Sequence, residues 1–280
     1  MIHLRRFFPL KLLVLILLLF ISGSIYARQN RDKFKVIAFY TGRNDQAHIS
    51  FVQEANHWFS EAARKYRFSY DSTSNWGNLN LDFLANYNVV LFLDSRPDIK
   101  EQREAFEQYM KRGGAWMGFH FAAFALSPSD FPQNWEWYHN EFLGAGQYKG
   151  NTWRPTSAVL RVEQRNHPVT KNLPATFNAS PNEWYSWQND LRKNRDIEVL
   201  ASIDSSSFPL GTGPKLWEIW HSGDYPVVWT NRNYRMVYFN MGHNDIDYDG
   251  KTNRDLSHTF ENKVQNRMVM DALQWLGRRR

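Results

Sequence analysis

Short apolar runs alternating with amphipathic stretches constrain this chain more than any other feature. Phe34 to Tyr40, reading FKVIAFY, is β-rich and of a length suited to a buried strand. A polar loop, Thr41 to His48, leads to Phe51, Ala55, Phe59, Ala62 and Tyr66, spaced three and four apart as on one helical face. Ser50 with Gln53 fits a capping box at the start of that helix. Arg67 to Ser72 reads as a second strand, and Asn88 to Asp94 (NVVLFLD) as a third, fully buried one. Asp98 with Glu101 opens another helix, whose Ala105, Phe106, Tyr109 and Met110 share a face. Gly113-Gly114 ends it, because glycine accepts the left-handed backbone needed there. Ala115 to Phe119 is the next short strand. Strands and helices in this alternation predict an α/β fold with a parallel sheet covered on both faces.

The second half is less regular. Strands are expected over Ser157–Glu163, Glu183–Trp187, Ile197–Ile203, Pro226–Thr230 and Arg235–Met241. A short helix is expected over Trp135–Phe142, and a last one over His258–Leu276, packed through Val264, Met268, Leu273 and Leu276. No repeat or low-complexity linker follows residue 33, so residues 34–277 read as one domain with an irregular insertion.

The first 27 residues stand apart. Arg5, Arg6 and Lys11 precede an unbroken apolar run, Leu12 to Ile21, which Ser22, Gly23 and Ser24 interrupt before Ala27. That is the three-part form of a secretory signal, and the run is short for a bilayer span. Export to the periplasm or medium is expected, with membrane attachment only if this segment is retained. The chain has no Cys, so no disulfide supports the fold and thiol catalysis is excluded. The net charge of +6 is matched by Arg5, Arg6 and Lys11 together with the terminal Arg278, Arg279 and Arg280. The remainder balances, which argues against a nucleic-acid partner. The 12 Trp offer flat apolar faces that suit a core or a sugar ring.

In open parallel sheets, ligands sit beyond the carboxyl ends of the strands. Three histidines fall at such ends: His48 after the first strand's loop, His120 in Gly118-Phe119-His120, and His243 in Gly242-His243. Gly118 and Gly242 would allow a ligand to approach the backbone closely. Glu183, in Asn182-Glu183-Trp184-Tyr185, is the carboxylate best suited to work with imidazoles. Trp184 and Tyr185 would stack on a sugar. Asp245 and Asp247 read as polar loop and His167-Pro168 as a turn. Neutral imidazoles and a carboxylate also suit zinc, although no tight ligand spacing of the His-x-x-x-His kind is present. There is no phosphate-binding glycine loop, dinucleotide fingerprint or Gly-x-Ser-x-Gly elbow, so ATP-dependent chemistry and nicotinamide redox are disfavoured.

Taken together, residues 34 to 276 resemble the ThuA-like (trehalose-utilisation) family. The resemblance rests on Gly113-Gly114-Ala115-Trp116-Met117-Gly118-Phe119-His120, His167-Pro168, Asn182-Glu183-Trp184-Tyr185, Trp229-Thr230 and Gly242-His243. It implies a three-layer sandwich with a mostly parallel, flavodoxin-like sheet, related to class I glutamine amidotransferases, and a link to sugar utilisation. Departures are the residues Asn44 to Ala47 between Gly42-Arg43 and His48, Asn182 where the family carries Asp, and Ala115 in the third place of a triple glycine. Amidotransferases carry a nucleophilic Cys on a strand-to-helix turn, and Gly118-Phe119-His120-Phe121-Ala122 puts His there, so glutamine hydrolysis through a thioester is excluded.

The expected function is an exported carbohydrate-associated protein. It would bind or transform a sugar with His120, His243 and Glu183 as acid–base groups, His48 completing the pocket, as a hydrolase or isomerase. The alternatives are a non-catalytic carbohydrate-binding module and a zinc-dependent hydrolase.

Overall fold

A computed structural model describes residues 33–43, 45–126, 135–152, 155–208, 220, 223–244 and 257–278. The segment 1–27, Asp245 and Asp247 lie outside the described residues. In chain order come β1 (Lys35–Phe39), α1 (Gln46–Tyr66), β2 (Ser69–Thr73), α2 (Leu81–Leu84), β3 (Val89–Phe92), α3 (Lys100–Lys111) and β4 (Ala115–Phe119). A 3-10 turn (His120–Ala123) and a π-helical turn (Trp137–Phe142) follow. Next are β5 (Tyr148–Asn151), β6 (Val159–Val162), β7 (Thr176–Asn178), β8 (Tyr185–Trp187), β9 (Ile197–Ile203), β10 (Pro226–Asn231), β11 (Arg235–Phe239) and α4 (Lys263–Gly277). The expected strands and helices are present; α2, β5 and β7 are short elements with no periodic signal of their own.

Nine strands form one sheet in the order β2-β1-β3-β4-β11-β10-β9-β6-β7, and β5 pairs with β8 apart from it. From β2 to β11 the neighbours are parallel, and from β11 to β7 they are antiparallel. Each antiparallel step reverses direction, so β9 and β7 run with the parallel set and only β10 and β6 oppose it. The sheet is therefore mostly parallel, and the order β2-β1-β3-β4 is the flavodoxin-like one.

The two faces of β1 lead into two cores, because successive side chains point to opposite sides of a strand. Val36 and Ala38 pack with Phe51, Ala55 and Phe59 of α1 and with Met268 and Leu273 of α4. Ile37 and Phe39 pack with Leu84, Phe106 and Tyr109 from α2 and α3. Helices on both faces make three layers. Among the described residues, no helix is long and apolar enough to cross a membrane.

The start of α1 corrects the capping box expected at Ser50 and Gln53. The helix begins at Gln46, and Asp45 is its N-cap, accepting from the His48 N–H at 3.0 Å. Ser50 lies inside the helix, where its Oγ accepts from the Ser257 N–H at 3.1 Å. The first turn is polar, so no apolar period announced it, and this extra turn carries His48. Gly113, at φ +86°, follows α3 as the Gly-Gly stop implies.

Stability should fall on the acid side, and His139 in the π turn shows why. Burial, then the nearby Arg96 and Arg103 cations, hold its imidazole well below its ordinary 6.5. Its ring nitrogens are buried without hydrogen-bond partners. The unfolded chain takes up a proton there below about pH 6.5, whereas the folded chain does not. This contribution to stability is thus complete above that pH and is lost progressively beneath it. His139→Leu should flatten the fall of the urea midpoint between about pH 6.5 and 5, leaving the part due to His48, His120 and His167, whose values are also lowered by burial. An unaltered slope would remove His139 from this account.

Candidate functional site

Three strands of the parallel set, β1, β4 and β11, end on the same rim of the sheet, and each exit delivers an imidazole there. The loop after β1 enters α1, whose third residue is His48. His120 directly follows β4. It adopts φ +38°, a left-handed conformation that costs a non-glycine residue of the order of 1–2 kcal/mol. This sharp strand-to-turn corner matches the position where the resemblance places a histidine in lieu of a thiol. His243 follows β11 by way of Gly242, whose φ of +139° favours glycine. A Cβ on Gly242 would press to 3.2 Å of both the His120 Cβ and the Phe51 ring. Glycine there lets the β11 exit lie against His120.

The imidazoles meet. Ring centroids are 5.5 Å apart for His48–His120, 4.8 Å for His48–His243 and 5.5 Å for His120–His243. Glu183, just before β8, joins them: its Oε2 lies 3.0 Å from His243 Nδ1 and 3.4 Å from His120 Nε2. Asp45, which the sequence reading did not single out, places Oδ1 3.6 Å from His48 Nδ1. Tyr185 covers His120, with ring centroids 3.9 Å apart. Phe121 sits 5.0 Å from the His48 ring. The side chain of His120 is 1% exposed, that of Glu183 9% and that of His243 12%, so His243 offers the most open face.

Asparagines hold this arrangement, a role that sequence reasoning did not assign to them. The Asn182 Nδ2 donates to the Asn240 carbonyl at 2.8 Å and the Glu183 carbonyl at 3.0 Å. Its Oδ1 accepts from the N–H groups of Gly242 (2.9 Å) and His243 (3.1 Å). The Asn240 side chain pairs with both backbone groups of Tyr185: Oδ1 accepts from its N–H (3.2 Å) and Nδ2 donates to its carbonyl (2.8 Å). The Glu183 N–H donates to the His243 carbonyl at 2.9 Å. Asn151 Nδ2 donates to Glu183 Oε1. The segment 182–185 is thereby tied to the exit of β11.

Two expected binding residues prove to be packing residues. Trp184 is wholly buried, its Nε1–H donating to the Thr156 carbonyl at 2.7 Å, and it has no face for a sugar. Gly118 lies within β4, where a Cβ would fall 2.1 Å from the Trp116 ring; it makes room for the indole. Tyr185 and Gly242 do line the cluster.

The electrostatics are those of a buried carboxylate among imidazoles. Burial alone would raise the pKa of Glu183, but His120 and His243 outweigh it and hold the group well below the usual carboxylate range. Burial pushes His48 down to about 3, helped by the proximity of His243, and lowers His120 against the pull of Glu183. At neutral pH the site thus holds a carboxylate beside neutral His48 and His120. His48 Nε2 and His120 Nδ1 are buried without a hydrogen-bond partner, while His120 Nε2 faces Glu183 and His48 Nδ1 faces Asp45. A buried unpaired polar group costs roughly 1–3 kcal/mol, so the cluster is arranged for something that pairs with it. A cavity of about 510 Å³ shares Asn151 and Tyr185 with the surroundings of the cluster and is lined also by Trp187, Asn189, Trp220 and Asp224, although not by the histidines or Glu183 themselves.

The comparisons with known proteins agree with this architecture. The ThuA family model, described as trehalose utilisation, matches residues 36–276. A ThuA-like protein from Bacteroides uniformis ATCC 8492 is 36% identical, with a TM-score of 0.76 over 88% of this chain and 92% of its own. A ThuA-like protein from Parabacteroides merdae ATCC 43184 is 18% identical, with a TM-score of 0.58 over 87% of this chain and 90% of its own. A glutamine amidotransferase from Thermotoga maritima is 14% identical, with a TM-score of 0.49 over 88% of this chain and 98% of its own. No curated protein matches the chain. With its family model spanning nearly the whole sheet and both helical layers, this chain belongs to the ThuA family.

Proposed function

We propose that this chain is an exported protein that binds and transforms a sugar or modified glycoside by proton transfer at the His/Glu cluster, without a covalent thiol step. The observation that carries this reading is the position of Glu183 Oε2 between His243 Nδ1 and His120 Nε2, at the rim where three strands end. Glu183 is ionised at neutral pH and so stands in the proton-accepting form. His120 and His243 fix it in place and pass the proton on. The neighbouring cavity suits a carbohydrate, since aromatic edges from Trp187 and Trp220 alternate with the polar groups of Asn151, Asn189 and Asp224. The family description, trehalose utilisation, points to the same substrate class. The N-terminal apolar segment supports export.

The test is a panel of disaccharides and modified glycosides, with turnover and binding measured for the native chain, His120→Ala and His243→Ala. Conversion of a panel member that both substitutions abolish is expected. No interaction with any sugar would end the carbohydrate reading, and unchanged behaviour of both variants would end the assigned roles. Binding without product, insensitive to pH between about 5 and 8 where imidazole titrates, would identify a non-catalytic carbohydrate-binding module.

A further inference from the structure

We propose that His48, His120 and His243 form a binding site for a divalent cation of the zinc type. Each ring offers one nitrogen, and these atoms lie within 4.8 Å of one another. Among the described residues no other trio of histidine and acidic side chains gathers in this way. Three imidazole donors select zinc-like ions over magnesium or calcium, which take oxygen ligands. In a tetrahedral zinc site with metal–nitrogen bonds of about 2.0–2.1 Å, the nitrogens stand roughly 3.4 Å apart. The rings therefore draw inward by about 1 Å at most, a shift that side-chain rotation supplies.

The outer shell argues for the ion independently of the inner one. Histidine ligands to a metal characteristically turn their second nitrogen to a carboxylate or carbonyl, which fixes the ring. Here Nδ1 of His243 faces Glu183 at 3.0 Å and Nδ1 of His48 faces Asp45 at 3.6 Å. Both arrangements direct Nε2 toward the centre of the cluster. His120 is held by its left-handed backbone, by Gly242 against its Cβ and by Tyr185 against its ring. Nε2 of His48 and Nδ1 of His120 are buried and lack a hydrogen-bond partner, the condition an ion would relieve.

This inference rests on the same cluster as the proposed function but not on its being a sugar site. With an ion bound, the imidazoles become ligands and Glu183 remains the proton acceptor beside them. The full-length chain, stripped with a chelator and dialysed, is titrated with Zn²⁺ by calorimetry, and separately with Co²⁺ by visible absorption. One ion per chain is expected, with the intense d–d bands of a four-coordinate cobalt site. Because His→Ala changes in a buried cluster can unfold a chain, Asp45→Asn is the sensitive variant. Asn is as good an N-cap as Asp, so α1 keeps its start. Loss of the outer-shell carboxylate should still weaken binding by about 10- to 100-fold. The exposed His57→Ala should bind as the native chain does. A folded chain that takes up no Zn²⁺, or an ion held equally well by Asp45→Asn and by His48→Ala, would overturn the site. Neither result depends on whether any sugar is turned over.

Discussion

If the proposed glycoside chemistry holds, Glu183→Gln is expected to lose turnover by about 10²- to 10⁴-fold while the chain stays folded. The substitution keeps the shape of the side chain and an oxygen for the Asn151 amide that donates to Oε1. It removes the charge that sits 3.0 Å from His243 Nδ1 and 3.4 Å from His120 Nε2. With an amide in place, the group can no longer accept a proton, and its NH₂ can turn toward imidazoles that previously faced an acceptor. The loss should appear in kcat, because the step removed belongs to the transition state and not to ground-state binding. The measurement is a pair of progress curves at saturating and limiting substrate. Near-native kcat would mean that proton transfer runs through another group. An effect confined to KM would reduce Glu183 to a binding residue.

Asn240→Leu is expected to cost about 2–6 kcal/mol of stability, from two buried backbone groups left without partners at roughly 1–3 kcal/mol each. Leucine fills nearly the same volume, so the change isolates the hydrogen bonds. Asn240 is fully buried and is the link between the end of β11 and Tyr185. Its loss frees the segment 182–185, which carries Glu183, and the ring that covers His120. A Tm lowered by roughly 5–15 °C follows from the same figure. Urea denaturation of the native chain and the variant decides it: coincident midpoints would show that the Tyr185 backbone finds other partners without cost.

The parts that were legible in the sequence have a common physical origin. β4 and His120 were readable because a five-residue apolar strand directly follows the Gly113-Gly114 stop and runs into His120. His243 was readable for a similar reason, behind a β-rich run and Gly242. α1 began earlier than expected because its first turn, Gln46 to His48, is held by a cap and not by an apolar stripe. The resulting shift moved His48 from the expected loop into the first turn of the helix. Trp184 was misread because an aromatic residue beside a functional carboxylate looks the same in sequence whether it points to the core or to a ligand. Asn240 and Asn151 have no signature, and Asn182, though within the quoted motif, showed nothing of its role, because an asparagine that completes a distant backbone is identical in composition to one in a surface turn.

The left-handed backbone of His120 separates what keeps this chain folded from what makes it useful. Glycine at that position would adopt φ +38° without strain and would bury no unsatisfied ring. Selection for durability alone would therefore favour glycine there, and a consensus built to raise thermal resistance would erase the corner imidazole. A chain that retains histidine at such a corner does so against its own conformational preference. Thermostabilised relatives that keep it would mark the residue as indispensable, and those that discard it would mark descendants that have given up the chemistry.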